Sequence, residues 1–268
     1  MILFYAYGSG LGHINRIQSY IQDKNIPFSS CIILTNTKHK NFISPAVKTI
    51  YRQDSFFKNT LLFRDTLHQL IEMYLIKELV VDVFPSGFYG ELQYFDDVPL
   101  KKTLLARILK AAYFKKQGTP RYDELLVLEK GIDLKHYNYK KVTYAQVPTD
   151  LRHSKKEIRI IAPFFYIIHS EPAEEVHQLY KMAKMHQKNG EHIYIQTFCA
   201  LDDLTNEEGV TVLQNTPPLL SLLEEADKLF TACGFNLFYA TEQYRAKQYF
   251  MPFKRRYDDQ FQRKLLNT

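Results

Sequence analysis

MILFYAYGSGLGHINR, residues 1–16, passes from an apolar strand-like run directly into three glycines and a histidine at the head of a helical pattern. Strand, glycine turn, helix is the opening unit of a doubly wound α/β sheet. In Gly8-Ser9-Gly10-Leu11-Gly12-His13 the glycines let backbone N–H groups approach a ligand, and the following helix adds partial positive charge. The same residues also suit a tight turn with no ligand. His13 at that junction is a candidate proton acceptor near neutral pH, and Arg16, one turn further along the same helix, is expected with Gly8, Ser9, Gly10 and Gly12 to serve an acceptor or phosphate. The spacing G-x-G-x-G is not the dinucleotide fingerprint, and no acidic residue closes the second strand, CIILTN at 31–36.

Working outward, the strand-helix alternation continues. ELVVDVF (78–84) and ELLVLEK (124–130) are continuous apolar runs of the kind buried on both faces of a parallel sheet. Ile14, Ile17 and Ile21 recur at helical spacing, and TLLFRDTLHQLIEMYLIKE (60–78) is a longer amphipathic pattern. VPTDLRHSKKE (147–157) is polar, charged and proline-containing, and is expected to link two domains, 1–150 and 151–268. The alternation then restarts. IRIIAPFFYII is expected as a strand, PAEEVHQLYKMAKMHQKNG as a helix, HIYIQTF and VTVLQ as strands, PPLLSLLEEA as a helix, and KLFTACG as a strand leading to a helix near Phe235. The expected fold is therefore α/β, two Rossmann-like domains with ligands at the carboxyl ends of their strands, in the cleft between them.

Composition limits the function classes. The chain of 268 residues is 46% hydrophobic and 24% charged, ordinary for a globular protein, and its formal charge of +6 favours anionic partners. No recognised nucleic-acid module is present. Cys31, Cys199 and Cys233 are widely spaced, without a zinc or disulfide pattern, which fits a reducing cytoplasm. No leader is read at the N-terminus, and no apolar run reaches the roughly 18–20 residues of a membrane helix. Contact with the inner face of a membrane is compatible with the charge. The acidic pairs Asp96-Asp97, Asp202-Asp203 and Asp258-Asp259 lack a third ligand at supportive spacing, so no metal is expected.

Three further positions carry chemistry. Asp82 ends a strand, where it would act as a base or acceptor-binding carboxylate, or else cap a turn; Glu91 is expected to cap a helix. Gly234, Phe235 and Asn236 sit between a strand and a helix, an arrangement that can hold a diphosphate through backbone N–H groups. MPFKRRYDDQFQRK (251–264) gathers Arg255, Asp259 and Gln260, groups that suit either a phosphorylated sugar or a solvated helical face.

Together these segments resemble the glycosyltransferases of the GT-B fold. The similarity is greatest to the group that includes the peptidoglycan N-acetylglucosaminyltransferase making lipid II. YGSGLGHINR resembles the N-terminal loop of that group, VLQNTPPLLSLLEEADKLFTACGFN the approach to its nucleotide-sugar site, and MPFKRRYDDQFQRK the stretch that follows. The resemblance implies inverting transfer from a nucleotide-diphosphate sugar to an envelope-type or lipid-linked glycan, with no metal or other cofactor. It assigns His13 as base beside the glycine loop, Gly234 and Asn236 to the diphosphate, and Asp259 and Gln260 to the donor sugar. Ala240 stands where the group has an acidic residue that grips the donor ribose, and Arg245 and Lys247 stand where it has glycine and proline. APFFYIIHSEP lacks the group's second glycine loop, and the sequence stops at Thr268, where members continue into a further helix. Two alternatives remain open: a non-catalytic binding protein, and a nucleotide-sugar epimerase or hydrolase on the same fold.

Overall fold

A computed structural model describes residues 1–8, 10–145, 158–216 and 218–267. It divides into two units: Met1–Pro148 with Arg256–Gln262, and Thr149–Arg255 with Arg263–Thr268. The linker expected at 147–157 and the boundary within it lie outside the described residues, as does Ser9.

The first unit contains β1 (Ile2–Ala6), α1 (Leu11–Asp23), β2 (Cys31–Thr35), β3 (Lys48–Tyr51), α2 (Asp54–Lys58), α3 (Thr60–Tyr74), β4 (Glu78–Asp82), β5 (Lys101–Ala106), α4 (Ala111–Lys116), β6 (Arg121–Val127) and β7 (Asn138–Tyr144). Its strands form a seven-stranded sheet in the order β3-β2-β1-β4-β5-β6-β7, every pairing parallel. β1 and β2, and β4 between its terminal carboxylates Glu78 and Asp82, are apolar, buried runs of the kind found in the interior of a parallel sheet. α1 buries Ile14, Ile17 and Ile21 at the expected spacing. α3 starts on the side chain of Asn59, which accepts from the Leu62 N–H at 3.1 Å, and buries Phe63, Leu67 and Leu70. It ends at Tyr74, before the expected 78, because Leu75 turns left-handed (φ 48°) and sends Ile76 into the core.

The second unit contains β8 (Phe164–Ile168), α5 (Ala173–His186), β9 (His192–Thr197), α6 (Asp202–Thr205), β10 (Val210–Gln214), α7 (Leu220–Glu225), β11 (Lys228–Ala232), α8 (Phe235–Ala240) and β12 (Gln248–Met251). Its parallel sheet runs β10-β9-β8-β11-β12. The strand expected from 158 begins only at Phe164, since Pro163 has no N–H for the ladder. Both sheets reverse strand order beside their first strand, at β1/β4 and β8/β11. Ligands of doubly wound sheets bind at such points.

A last helix, α9, spans Gln260–Asn267. Residues 256–262, expected with the second domain, belong to the first unit. Asp258 makes an antiparallel bridge with Leu109, and the Lys110 N–H donates to the Tyr257 carbonyl at 2.7 Å. Among the described residues no helix is long and apolar enough to cross a membrane.

Candidate functional site

In the first unit, strand ends beside the switch point deliver charged groups in succession. Asp82 is the last residue of β4, Arg107 follows β5, and Glu129 lies just beyond β6. His13 stands in the first turn of α1. Its Nδ1 lies 2.5 Å from Asp82 Oδ2. Arg16 grips the same carboxylate from both sides, Nε donating to Oδ1 at 2.5 Å and Nη2 to Oδ2 at 2.6 Å. Asp82 and Arg16 are buried, while the His13 side chain keeps 18% of its surface exposed.

These contacts set the protonation states. Burial pushes the Asp82 carboxyl up, but Arg16 and then His13 outweigh it and hold it at about 2. An ionised carboxylate can only accept, so Nδ1 of His13 carries the hydrogen and Nε2 is left as the basic nitrogen. Burial lowers the imidazole from its ordinary 6.5; Asp82 raises it, while the cations Arg16 and Arg107 lower it, and the net direction is down. His13 is therefore neutral at neutral pH, a base with a fixed tautomer.

The glycines acquire a different explanation from a bare cradle. A Cβ on Gly8 would lie 2.2 Å from His13 Cδ2 and 2.5 Å from Nε2, so Gly8 is the space in which the imidazole sits. Its N–H donates to Asn36 Oδ1 at 2.7 Å. Gly10 caps α1 without a side-chain hydrogen bond, and Gly12 is in the first turn. Arg16, expected to serve a ligand on this loop, is instead turned inward onto Asp82 because that buried carboxylate needs a cation.

After Asp82 the chain turns sharply. Val83 has φ 71°, a left-handed conformation that β-branched residues avoid, and the Phe84 N–H closes back onto the Asp82 carbonyl at 2.9 Å. Glu91 does not cap a helix. It is buried, accepts from the Tyr5 hydroxyl and from the Tyr89 N–H (2.8 Å), and fills the space beneath Gly87 (φ +78°). Burial raises its carboxyl above the ordinary value. Sequence reading missed Arg107, which joins Asp258 at 2.7 Å and approaches Glu129 at 3.8 Å.

In the second unit, Gly234 precedes α8, Phe235 is buried and Asn236 half-buried. The carbonyl of Cys233 accepts from Arg263 at 2.8 Å. Arg245 donates to the Phe238 carbonyl at 2.7 Å and lies 3.9 Å from that ring's centroid, while Lys247 donates to the Glu224 carbonyl at 2.7 Å. Both basic residues thus take up carbonyls near helix ends where the resembling group has glycine and proline. Arg255 pairs through Nη2 with Glu175 Oε2 at 2.5 Å, and His169, just past β8, reaches the same oxygen at 2.8 Å. His169 and Glu175 were not singled out from the sequence, although HSEP directly after an apolar strand is a signal for them. Asp259 caps the Gln262 N–H at 3.0 Å and Gln260 is buried; both fall within the first unit.

The sequence matches no family model and no curated protein sequence. Solved structures do resemble it. The UDP complex of MnaA from S. aureus is 9% identical, with a TM-score of 0.63 over 99% of this chain and 82% of that chain. The fold is of the GT-B type. The UDP-GlcNAc 2-epimerase from Methanocaldococcus jannaschii is 9% identical, with a TM-score of 0.59 over 97% of this chain and 96% of that one. The spinosyn forosaminyltransferase SpnP is 11% identical, with a TM-score of 0.62 over 99% and 82%. Such identities carry the architecture alone; two enzyme classes share it.

Proposed function

We propose that this chain is a nucleotide-sugar enzyme, and within that class an inverting glycosyltransferase whose base is His13. The observation that carries the reading is the His13–Asp82–Arg16 arrangement at the β1/β4 switch point. His13 Nε2 takes the proton of an acceptor hydroxyl as that oxygen bonds to the anomeric carbon of the donor. The bond from that carbon to the diphosphate breaks, and its electron pair leaves on the nucleoside diphosphate. Asp82 stabilises the imidazolium that forms, and Arg16 keeps Asp82 ionised. General-base assistance of this kind is worth about 10²–10⁴ in rate.

The motif resemblance assigns the donor diphosphate to Gly234 and Asn236, the donor sugar to Asp259 and Gln260, and the acceptor to the first unit beside the Gly8–Gly12 loop; Phe235 and Arg255 are added to the donor side by their place in the same two segments. It also carries the finer placement among lipid II-forming enzymes, with an envelope-type or lipid-linked glycan acceptor and contact with a membrane face. No metal enters this scheme. Cys31, Cys199 and Cys233 are all free thiols, which suits the cytoplasm. The test is turnover with UDP-sugars and a panel of glycan acceptors, wild type against His13→Ala. Acceptor-dependent release of UDP that falls with the substitution supports the reading, and turnover independent of His13 overturns it.

A second reading, a sugar-nucleotide epimerase, is favoured by the near-complete coverage of the M. jannaschii enzyme. Incubation with donor alone separates the two, since only an epimerase returns a C2-inverted sugar without acceptor. No binding of any nucleotide sugar would favour the non-catalytic alternative.

A further inference from the structure

We propose that the surface of the first unit beside His13 is a pyranoside subsite in which Asp54 and Tyr89 select the acceptor. This rests on the transferase reading.

Starting at Gly8, against which the imidazole lies, one arc of contacts is polar. The Gly8 N–H donates to Asn36 Oδ1, Asn36 Nδ2 donates to Asp54 Oδ1 at 2.8 Å, and the Tyr89 hydroxyl donates to Asp54 Oδ2 at 3.4 Å. The other arc is aromatic. His13 faces Phe84 (5.9 Å between ring centroids), Phe84 meets Phe88 (5.1 Å), and Phe88 meets Tyr89 (5.1 Å). The two arcs close at Tyr89, and Tyr7 packs inside the loop, its ring stacked on Phe88 at 4.8 Å and its hydroxyl 3.0 Å from that of Tyr89.

Asp54 is the unusual member. It is exposed, opens α2, and is held by two neutral donors, with no cation at ion-pair distance among the described residues. An ionised carboxylate has about four acceptor sites, so two remain for a ligand. The Tyr89 ring is half-buried, with Lys58 Nζ 5.4 Å from its centroid and the Arg256 guanidinium 5.2 Å from that of Phe88, and its backbone is fixed by Glu91. A flat apolar alcohol placed here would strip water from Asp54 without replacing its hydrogen bonds. An anionic group set against Asp54 would be repelled. A pyranoside satisfies both arcs, giving C–H surface to the aromatic rings and hydroxyl donors to the carboxylate.

The test is saturation-transfer difference NMR on the full chain with methyl glucoside, galactoside and N-acetylglucosaminide, and with benzyl alcohol and cyclohexanol as comparators. At least one pyranoside receives transfer, and the signal falls about tenfold in Asp54→Ala and in Tyr89→Ala, the loss of a hydrogen bond to a charged group. It is unchanged in Asp65→Ala, an exposed carboxylate on α3. Transfer to benzyl alcohol without any pyranoside, or pyranoside transfer that survives both substitutions, overturns the proposal. The readout needs no donor, so failure of the transferase reading shows separately, as absence of nucleotide-sugar turnover.

Discussion

His13 owes its chemistry to three neighbours. Asp82 fixes its tautomer, Gly8 provides the space, and burial, with Arg16 acting in the same direction, lowers its basicity. We expect His13→Ala to lower turnover about 10²-fold or more, and Asp82→Asn to lower it at least as much, by releasing the wrong tautomer and by leaving Arg16 a buried, unpaired charge; steady-state rates report the first, and urea unfolding of the same variant separates the second. In Gly8→Ala the new methyl pushes the flexible end of the imidazole aside. That variant should keep the wild-type melting temperature within a few degrees while losing about 10²-fold in turnover. The pH dependence has a definite sign. Asp82 has a native value of about 2 against an ordinary 3.8, so the unfolded chain takes the proton first. The stabilisation, on the order of 2 kcal/mol, is complete above about pH 4 and is lost as pH falls toward 2. His13, lowered from 6.5, acts in the same direction at higher pH: stability declines as pH falls below 6.5. Urea unfolding across that range checks both, and the acid limb of kcat/KM should lie below 6.5.

Among the elements, α3 depends on its cap. Asn59→Ala removes the acceptor for the Leu62 N–H and should cost about 1 kcal/mol in urea unfolding, with turnover unchanged. How much of the architecture was legible in the sequence also varied element by element. β1, β2, β4 and β6 announce themselves as apolar runs because each is an interior strand. β3 and β12 are four-residue edge strands, and β7 is an edge strand with mostly polar, partly exposed residues, so none shows a continuous run. β5 opens with two lysines, which hides it. His13 and Asp82 were visible as candidates because one follows the glycine turn after β1 and the other closes the apolar run of β4. Their partner Arg16 was visible, but its inward direction was not. The Arg107–Asp258 and His169–Glu175 pairs depend on which segments lie side by side, and no local spacing encodes that.

For the molecule as a whole, the fold is matched by proteins that share about a tenth of its residues. If the nucleotide-sugar reading holds, a ligand at about 100 times its dissociation constant adds roughly 2.7 kcal/mol. For a chain of this size, each kcal/mol raises the melting temperature by about 2–4 °C. A shift confined to uridine diphosphate and its sugars is the expected outcome of thermal unfolding; no shift with any nucleotide would count against it. The Arg16–Asp82 pair has a consequence for inheritance. Replacing either residue alone leaves a buried charge, costing about 3–5 kcal/mol of a typical 5–15. A lineage cannot exchange the two one codon at a time without passing through a crippled fold. They would travel together even in a descendant that had stopped doing chemistry. His13, at the solvent edge, is under no such lock, so its retention or loss among descendants is the record of whether the reaction was kept.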